Sequence, residues 1–203
     1  MIYDISPTLR PSTAVWPGDQ SFIRNVALDI DNGDNLTLSS VTTTVHIGAH
    51  VDSPSHYIEG GDDIGSRPLS LYMGNCQVIS VETPRGCRIE SCPVEITETR
   101  VIFRTESAPD PDKFNTDFCA LSPALIHKLA ACGVRLVGID TPSVDLYDDK
   151  ELLSHKTIAS YDMAILEGVV LTGVPDGVYN LIALPLRIEG ADASPVRAVL
   201  VSI

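Results

Sequence analysis

Apolar residues in this chain come in short bursts closed off by Pro and Gly, and that rhythm restricts the fold more than any other property. QVISVE at 77–82, RVIFRT at 100–105 and RLVGID at 135–140 read as strands separated by loops. LTLSSVTTTV, from Leu36 to Val45, is dense in β-branched residues with partial alternation and reads as a further strand. Ile2 to Ile5 adds one near the start, followed by a long surface excursion to residue 35 with turn chemistry at Trp16-Pro17-Gly18-Asp19. MAILE, VVLTG, YNLIALPL and VRAVLVS supply four more strands toward the end. The clearest helix has Ser122 at the N-cap, Pro123 at its first position and Gly133 as its stop, with Leu125, Ile126, Leu129 and Ala130 at helical spacing. ELLSHKTIASYD fits a second, shorter helix. Many strands with few helices specify a mixed α/β fold.

A chain of 203 residues suits one domain, spanning 1–203, with a core of its own. Fourteen basic against twenty-seven acidic side chains leave a net charge of −13, a field that repels nucleic-acid phosphates and anionic lipid. No Lys/Arg cluster offsets it locally. The five cysteines, Cys76, Cys87, Cys92, Cys119 and Cys132, have no C-x-x-C pair and no framework spacing, which points to reduced thiols. MIYDISPTLRPS carries neither a basic region nor an apolar one, and MAILEGVVL is far short of a membrane span. The expectation is a cytoplasmic protein without nucleic-acid or membrane partners.

Chemistry concentrates in HIGAHVDSPSH, residues 46–56, which holds three of the five histidines and an aspartate. Imidazole and carboxylate together suit zinc, manganese or iron. In an extended strand the Cα atoms of His46 and His50 would lie roughly 13 Å apart at about 3.3 Å per residue, too far to converge on one ion. The chain must therefore bend, and Gly48 offers the bend without a side-chain penalty. The strand is expected to end near His46, turn across Gly48 and present His50 and Asp52 from one side, with Pro54 stiffening the exit toward His56. Any one of these histidines alone reads as an ordinary surface or core residue; the density of the cluster favours a metal site.

His46-Ile47-Gly48-Ala49-His50-Val51-Asp52-Ser53-Pro54-Ser55-His56 resembles the H-x-G-x-H-x-D-x-P-x-H signature of the metal-dependent cyclase-like hydrolases. Among them the chain is most similar to the bacterial kynurenine formamidases (arylformamidases). The likeness extends through DISPTLRPSTAVWPGD, GIDTPSVD, KELLSHKTIASYDMAILEGVVL and LIALPLRIEGADASPVRAVLV. Ile47 and Ala49 stand where many relatives carry Thr, which leaves the ligands untouched but bears on the hydrogen bonds around them.

The resemblance implies a swivelling β/β/α architecture, a homodimer and two zinc ions per subunit, with manganese an alternative. It assigns His46, His50 and Asp52 to a first ion, Asp52 also reaching a second, and adds His155 and Glu167, the latter bridging. Taken alone, Glu167 in an apolar strand reads as a solvent-facing edge residue, and His155 as a surface one. His56 fits general acid/base work, a fifth ligand or an orienting partner. Trp16 could stack on an aromatic substrate or simply pack its loop. Asp140 and Asp145 fit either support of ligands or strand-end turns.

The implied reaction is hydrolysis of N-formyl-L-kynurenine to L-kynurenine and formate, a step of tryptophan breakdown by the kynurenine pathway. The rivals are a relative that opens a cyclic amide such as isatin, and a metal-binding protein without turnover. His56 argues against the second, because a closed structural site needs no acid/base partner.

Overall fold

The computed structural model describes all 203 residues. In chain order its strands are β1 (Ile2–Asp4), β2 (Ile23–Leu28), β3 (Leu38–Thr42), β4 (His50–Asp52), β5 (Met73–Ser80), β6 (Arg88–Ile89) and β7 (Arg100–Arg104). There follow β8 (Ala120–Leu121), helix α1 (Pro123–Ala131), β9 (Leu136–Ile139), helix α2 (Leu153–Ser160), β10 (Ala164–Glu167), β11 (Gly177–Ile182), β12 (Ala193–Pro195) and β13 (Val199–Ser202). Nine of them form one sheet in the order β1-β13-β11-β5-β7-β9-β10-β4-β12. The run β5-β7-β9-β10 is parallel and its flanks are antiparallel. This is the mixed-sheet α/β fold of the expected swivelling β/β/α kind.

Alternation along the parallel strands splits the core in two. Val101 and Phe103 of β7 join Leu125, Ile126 and Leu129 of α1 and Ile158 of α2. Ile102 between them joins Val51, Tyr72, Leu166 and Leu200 on the other face. Burying each such side chain contributes about 1.5–3 kcal/mol, so neither face of the sheet can be left open.

The expected strands at 77–82, 100–105, 135–140 and 163–167 all exist, with shifted ends. Ser122 caps α1 by accepting from Leu125 N, and Gly133 closes the helix in the left-handed region. Three expectations need correction. The excursion through residues 1–35 contains β2, which pairs with β3 in a separate hairpin. The strand expected over Leu36–Val45 is only Leu38–Thr42, so a loop, not the strand, leads into His46. VVLTG is no strand: Val169, Leu171 and Val174 are buried, which explains the apolar run, but the backbone bonds irregularly, Val170 N to Ile5 O and Val174 N to Leu171 O.

The β2–β3 hairpin stands apart from this core. None of its residues is buried, and Ile23, Val26, Leu38 and Val41 are all exposed.

Candidate metal centre and cavity

The site is built on β4, which lies between β10 and β12. His50 and Asp52 are two residues apart and so share a face, while Val51 points into the core. The antiparallel register sets Glu167 of β10 directly opposite His50. That pairing answers why a carboxylate interrupts an apolar strand: His50 Nε2 lies 3.2 Å from Glu167 Oε2, both side chains nearly inaccessible to solvent.

Before β4 the chain turns at Gly48, at φ 56°. Gly168, immediately after Glu167, is also left-handed, and a Cβ there would sit 2.2 Å from Gly48 O. Two glycine backbones thus touch where the histidine loop meets the end of β10. The Gly48 carbonyl accepts from His50 Nδ1 at 2.9 Å, which leaves His50 Nε2 facing the carboxylates. The expected bend is present, and it also fixes a ring tautomer.

His155 is oriented in the same way from α2. Its Nδ1 donates to Asp145 Oδ2 at 2.8 Å, and its Nε2 lies 3.5 Å from Asp52 Oδ2 and 3.7 Å from Glu167 Oε1. Asp145 also accepts from the backbone N–H of Ser154 and His155 and from Arg88. It therefore supports His155, whereas Asp140 accepts from Thr105 and Glu106 N–H groups and serves a turn. Glu167 Oε1 is tied to Val144 N at 2.7 Å.

His46 arrives from the loop, with Nδ1 3.1 Å from Asp52 Oδ1 and Nε2 2.8 Å from Asp192 Oδ2. His56, on the single 3-10 turn Pro54–His56, places Nδ1 3.3 Å from the same Asp192 oxygen. The His46 and His56 ring centroids are 4.2 Å apart. The fifth histidine, His127, bonds Tyr161 on the surface and lies elsewhere.

Electrostatics show what the cluster lacks. Burial favours neutral imidazole, yet Asp52 and Asp192 outweigh it and raise His46 to about 9. Burial is likewise outweighed at His155, which Asp145, Asp52 and Glu167 raise to about 10. Burial pushes Asp52 up, but the surrounding imidazoles hold it well below the usual carboxylate range. Both Asp52 oxygens are nevertheless buried without a hydrogen-bond partner: the neighbouring nitrogens are close enough for charge attraction but badly aligned for donation. An unpartnered buried carboxylate is costly, and a cation among these donors would satisfy it.

Two donor groups have ligand atoms within 4.8 Å of one another: His46, Asp52 and His56, and His50, Asp52 and Glu167. Asp52 belongs to both. Around Asp52, His46 and His56 thus lie to one side and His50 and Glu167 to the other. Nitrogen and carboxylate donors in such sets fit zinc or manganese.

Above the cluster lies a cavity of about 350 Å³, lined by His46, His50, His56, His155 and Glu167 at one end and by Trp16 and Phe114 on its wall. Trp16 packs at 5.2 Å from Phe114 and 5.2 Å from Tyr147 between ring centroids, so it both braces its loop and borders the cavity. Asp192, Phe114 and Tyr147 were not singled out in the sequence.

The family model for Cyclase matches residues 3–146. A kynurenine formamidase of Maricaulis maris (strain MCS10) is 44% identical over 203 residues, covering 98% of this chain and 97% of that protein. A predicted metal-dependent hydrolase from Bacillus stearothermophilus superposes with a TM-score of 0.83 at 27% identity, over 98% of this chain and 97% of that one. Isatin hydrolase A from Labrenzia aggregata, bound to benzyl benzoate, superposes with a TM-score of 0.84 over 100% of this chain and 94% of that one. At 22% identity the last likeness is one of fold alone.

Proposed function

This chain belongs to the Cyclase family and is a hydrolase, and from that footing we propose that it hydrolyses N-formyl-L-kynurenine to L-kynurenine and formate. The observation that carries the reading is Asp52, whose unpartnered buried oxygens lie among the imidazoles of His46, His50 and His155, which themselves line an aromatic-walled cavity. The 44% identity to a kynurenine formamidase supplies the substrate.

In this reading His46, His50, Asp52, His155 and Glu167 would hold two divalent cations, zinc or alternatively manganese. Bound there, such ions make water nucleophilic near neutral pH and polarise a carbonyl oxygen. Asp145 and the Gly48 carbonyl keep His155 and His50 in the tautomer that turns Nε2 inward. His56, with Nδ1 against Asp192, has Nε2 free for proton exchange. Water adds to the formyl carbon and its proton passes to His56; as the C–N bond breaks, His56 returns a proton to the departing aryl amine. Trp16 and Phe114 flank the aryl ring and exclude water.

A homodimer working in the cytoplasm completes the proposal. A two-stranded hairpin is marginal in water by itself, so the uncovered apolar residues of β2 and β3 favour cover by a second copy. Five free thiols accord with a reducing compartment, and no helix is long and apolar enough to cross a membrane.

The test is turnover of N-formyl-L-kynurenine by zinc-loaded protein, followed by the absorbance of the freed aryl amine, with isatin as rival substrate and His56→Ala and Asp52→Asn alongside. Formamide hydrolysis lost in Asp52→Asn together with bound zinc is the expected result. Preference for isatin, or unchanged turnover in His56→Ala, overturns the substrate or the acid/base role respectively.

A further inference from the structure

We propose that the rim of this cavity, where Lys113 and Asp110 meet, binds the α-amino-acid end of the substrate, the carboxylate on Lys113 and the ammonium on Asp110 and Asp19. The inference rests on the formamidase reading above and adds to it the device by which an aryl formamide carrying an amino acid is told from one that does not.

Burial grades the lining of the cavity. The side chains of His50, His155 and Glu167 are 3–4% exposed, Trp16 is half-buried, and Lys113 and Asp110 are 76% and 43% exposed. A formamide beside the histidines and an aromatic ring laid against the Trp16–Phe114 wall thus bring any polar chain on that ring toward the rim. Such a chain leaves water least if its charges are met where solvent still helps.

The rim holds complementary charges in an otherwise acidic setting. Lys113 is the only lysine or arginine lining the cavity, in a protein of net charge −13. A substrate carboxylate therefore has one cation available other than the imidazoles. Lys113 Nζ lies 3.0 Å from Asp110 Oδ2, and Asp19, also lining the cavity, accepts from the Thr44 hydroxyl at 3.3 Å. An α-ammonium and α-carboxylate can exchange partners with this pair, ion pair for ion pair, at little desolvation cost.

The loop that carries these residues is held, not loose. Lys113 N donates to Asp110 O at 3.0 Å and Asp112 N to Asp110 Oδ1 at 3.1 Å. Ala14 N donates to Pro111 O at 2.9 Å, joining this loop to the one that bears Trp16, and Phe114 follows Lys113 directly onto the aromatic wall. Lys113 thus reaches the mouth from a backbone fixed relative to the ring site.

The experiment compares N-formyl-L-kynurenine with 2-formamidoacetophenone, the same aryl ketone without the amino-acid end, in zinc-loaded wild type, Lys113→Glu, Lys113→Arg and Lys128→Glu. In Lys113→Glu the preference for formylkynurenine, as a ratio of kcat/KM, should fall about two- to fivefold through KM, the size of one exposed charge contact. Lys113→Arg should restore most of it. Lys128→Glu, the same change of net charge on the outer face of α1, should leave the ratio as in wild type. An unchanged ratio in Lys113→Glu, or an equal fall in Lys128→Glu, overturns the rim subsite while leaving the formamidase reading intact. Absence of turnover on both formamides in wild type would instead strike the formamidase reading and the subsite with it.

Discussion

Asp145→Asn isolates the support of a candidate metal ligand from the ligand itself. Four donors converge on this inaccessible carboxylate: Arg88 Nη1 at 2.8 Å, Ser154 N at 3.0 Å, His155 N at 3.0 Å and His155 Nδ1 at 2.8 Å. Asparagine keeps the shape but replaces one acceptor oxygen by an NH₂ that meets only donors. Turned toward Arg88, it loses a charge-assisted bond worth about 1.5–3 kcal/mol. Turned toward His155, it requires Nδ1 to accept, which puts the ring proton on Nε2 and points it at Asp52 and Glu167. Loss of such an orienting carboxylate costs about 10–100-fold in metal affinity. Zinc affinity, read by competition with a chromophoric chelator, should fall by that factor, and urea unfolding of the metal-free protein should show a loss of about 1.5–3 kcal/mol. Zinc affinity within twofold of wild type, with stability lowered, would show that Asp145 only anchors the start of α2 and that His155 is no ligand.

Three further outcomes follow from the same geometry. Gly168→Ala combines a left-handed residue, which costs about 1–2 kcal/mol, with a Cβ 2.2 Å from Gly48 O; thermal denaturation should show more than that loss, and zinc binding should weaken because the displaced carbonyl holds His50. Burial raises the Cys76 thiol far above its ordinary pKa despite Arg100 nearby, so at pH 8 to 9 its thiolate is suppressed; iodoacetamide with peptide mapping should label exposed Cys87 and Cys132 and leave Cys76 unmodified until the protein unfolds. Val41→Asp on the hairpin should yield a monomer by light scattering, with a melting temperature that no longer rises with protein concentration, and a variant that remains dimeric would remove the hairpin from the contact.

Some of this architecture could be read from residue order and some could not, for physical reasons. The bend at Gly48 was legible because only glycine tolerates that backbone cheaply between two histidines that must converge. Ser122, Pro123 and Gly133 announced α1 through capping chemistry that acts within a few residues. Glu167 was anomalous in its strand, but its partner became visible only with the register that sets it against His50. Asp192 sits in a Gly/Asp/Ala turn, where an aspartate needs no special reason, so its approach to His46 and His56 left no local trace. Phe114 and Tyr147 lie in loops without periodicity. β2 was hidden because IRNVAL buries nothing, and VVLTG misled because burial of its side chains does not require ladder pairing of its backbone.

The juxtaposition of His50 and Glu167 also governs when these donors can first hold a metal together. The imidazole-rich loop leaves the ribosome early, while its opposing carboxylate and His155 follow after β9 and the crossover through α2. Until those segments arrive and the long-range ladder closes, the nascent chain offers only scattered donors with little grip on a divalent cation. A cation held by these donors would therefore be captured late, locking an already assembled sheet instead of seeding it.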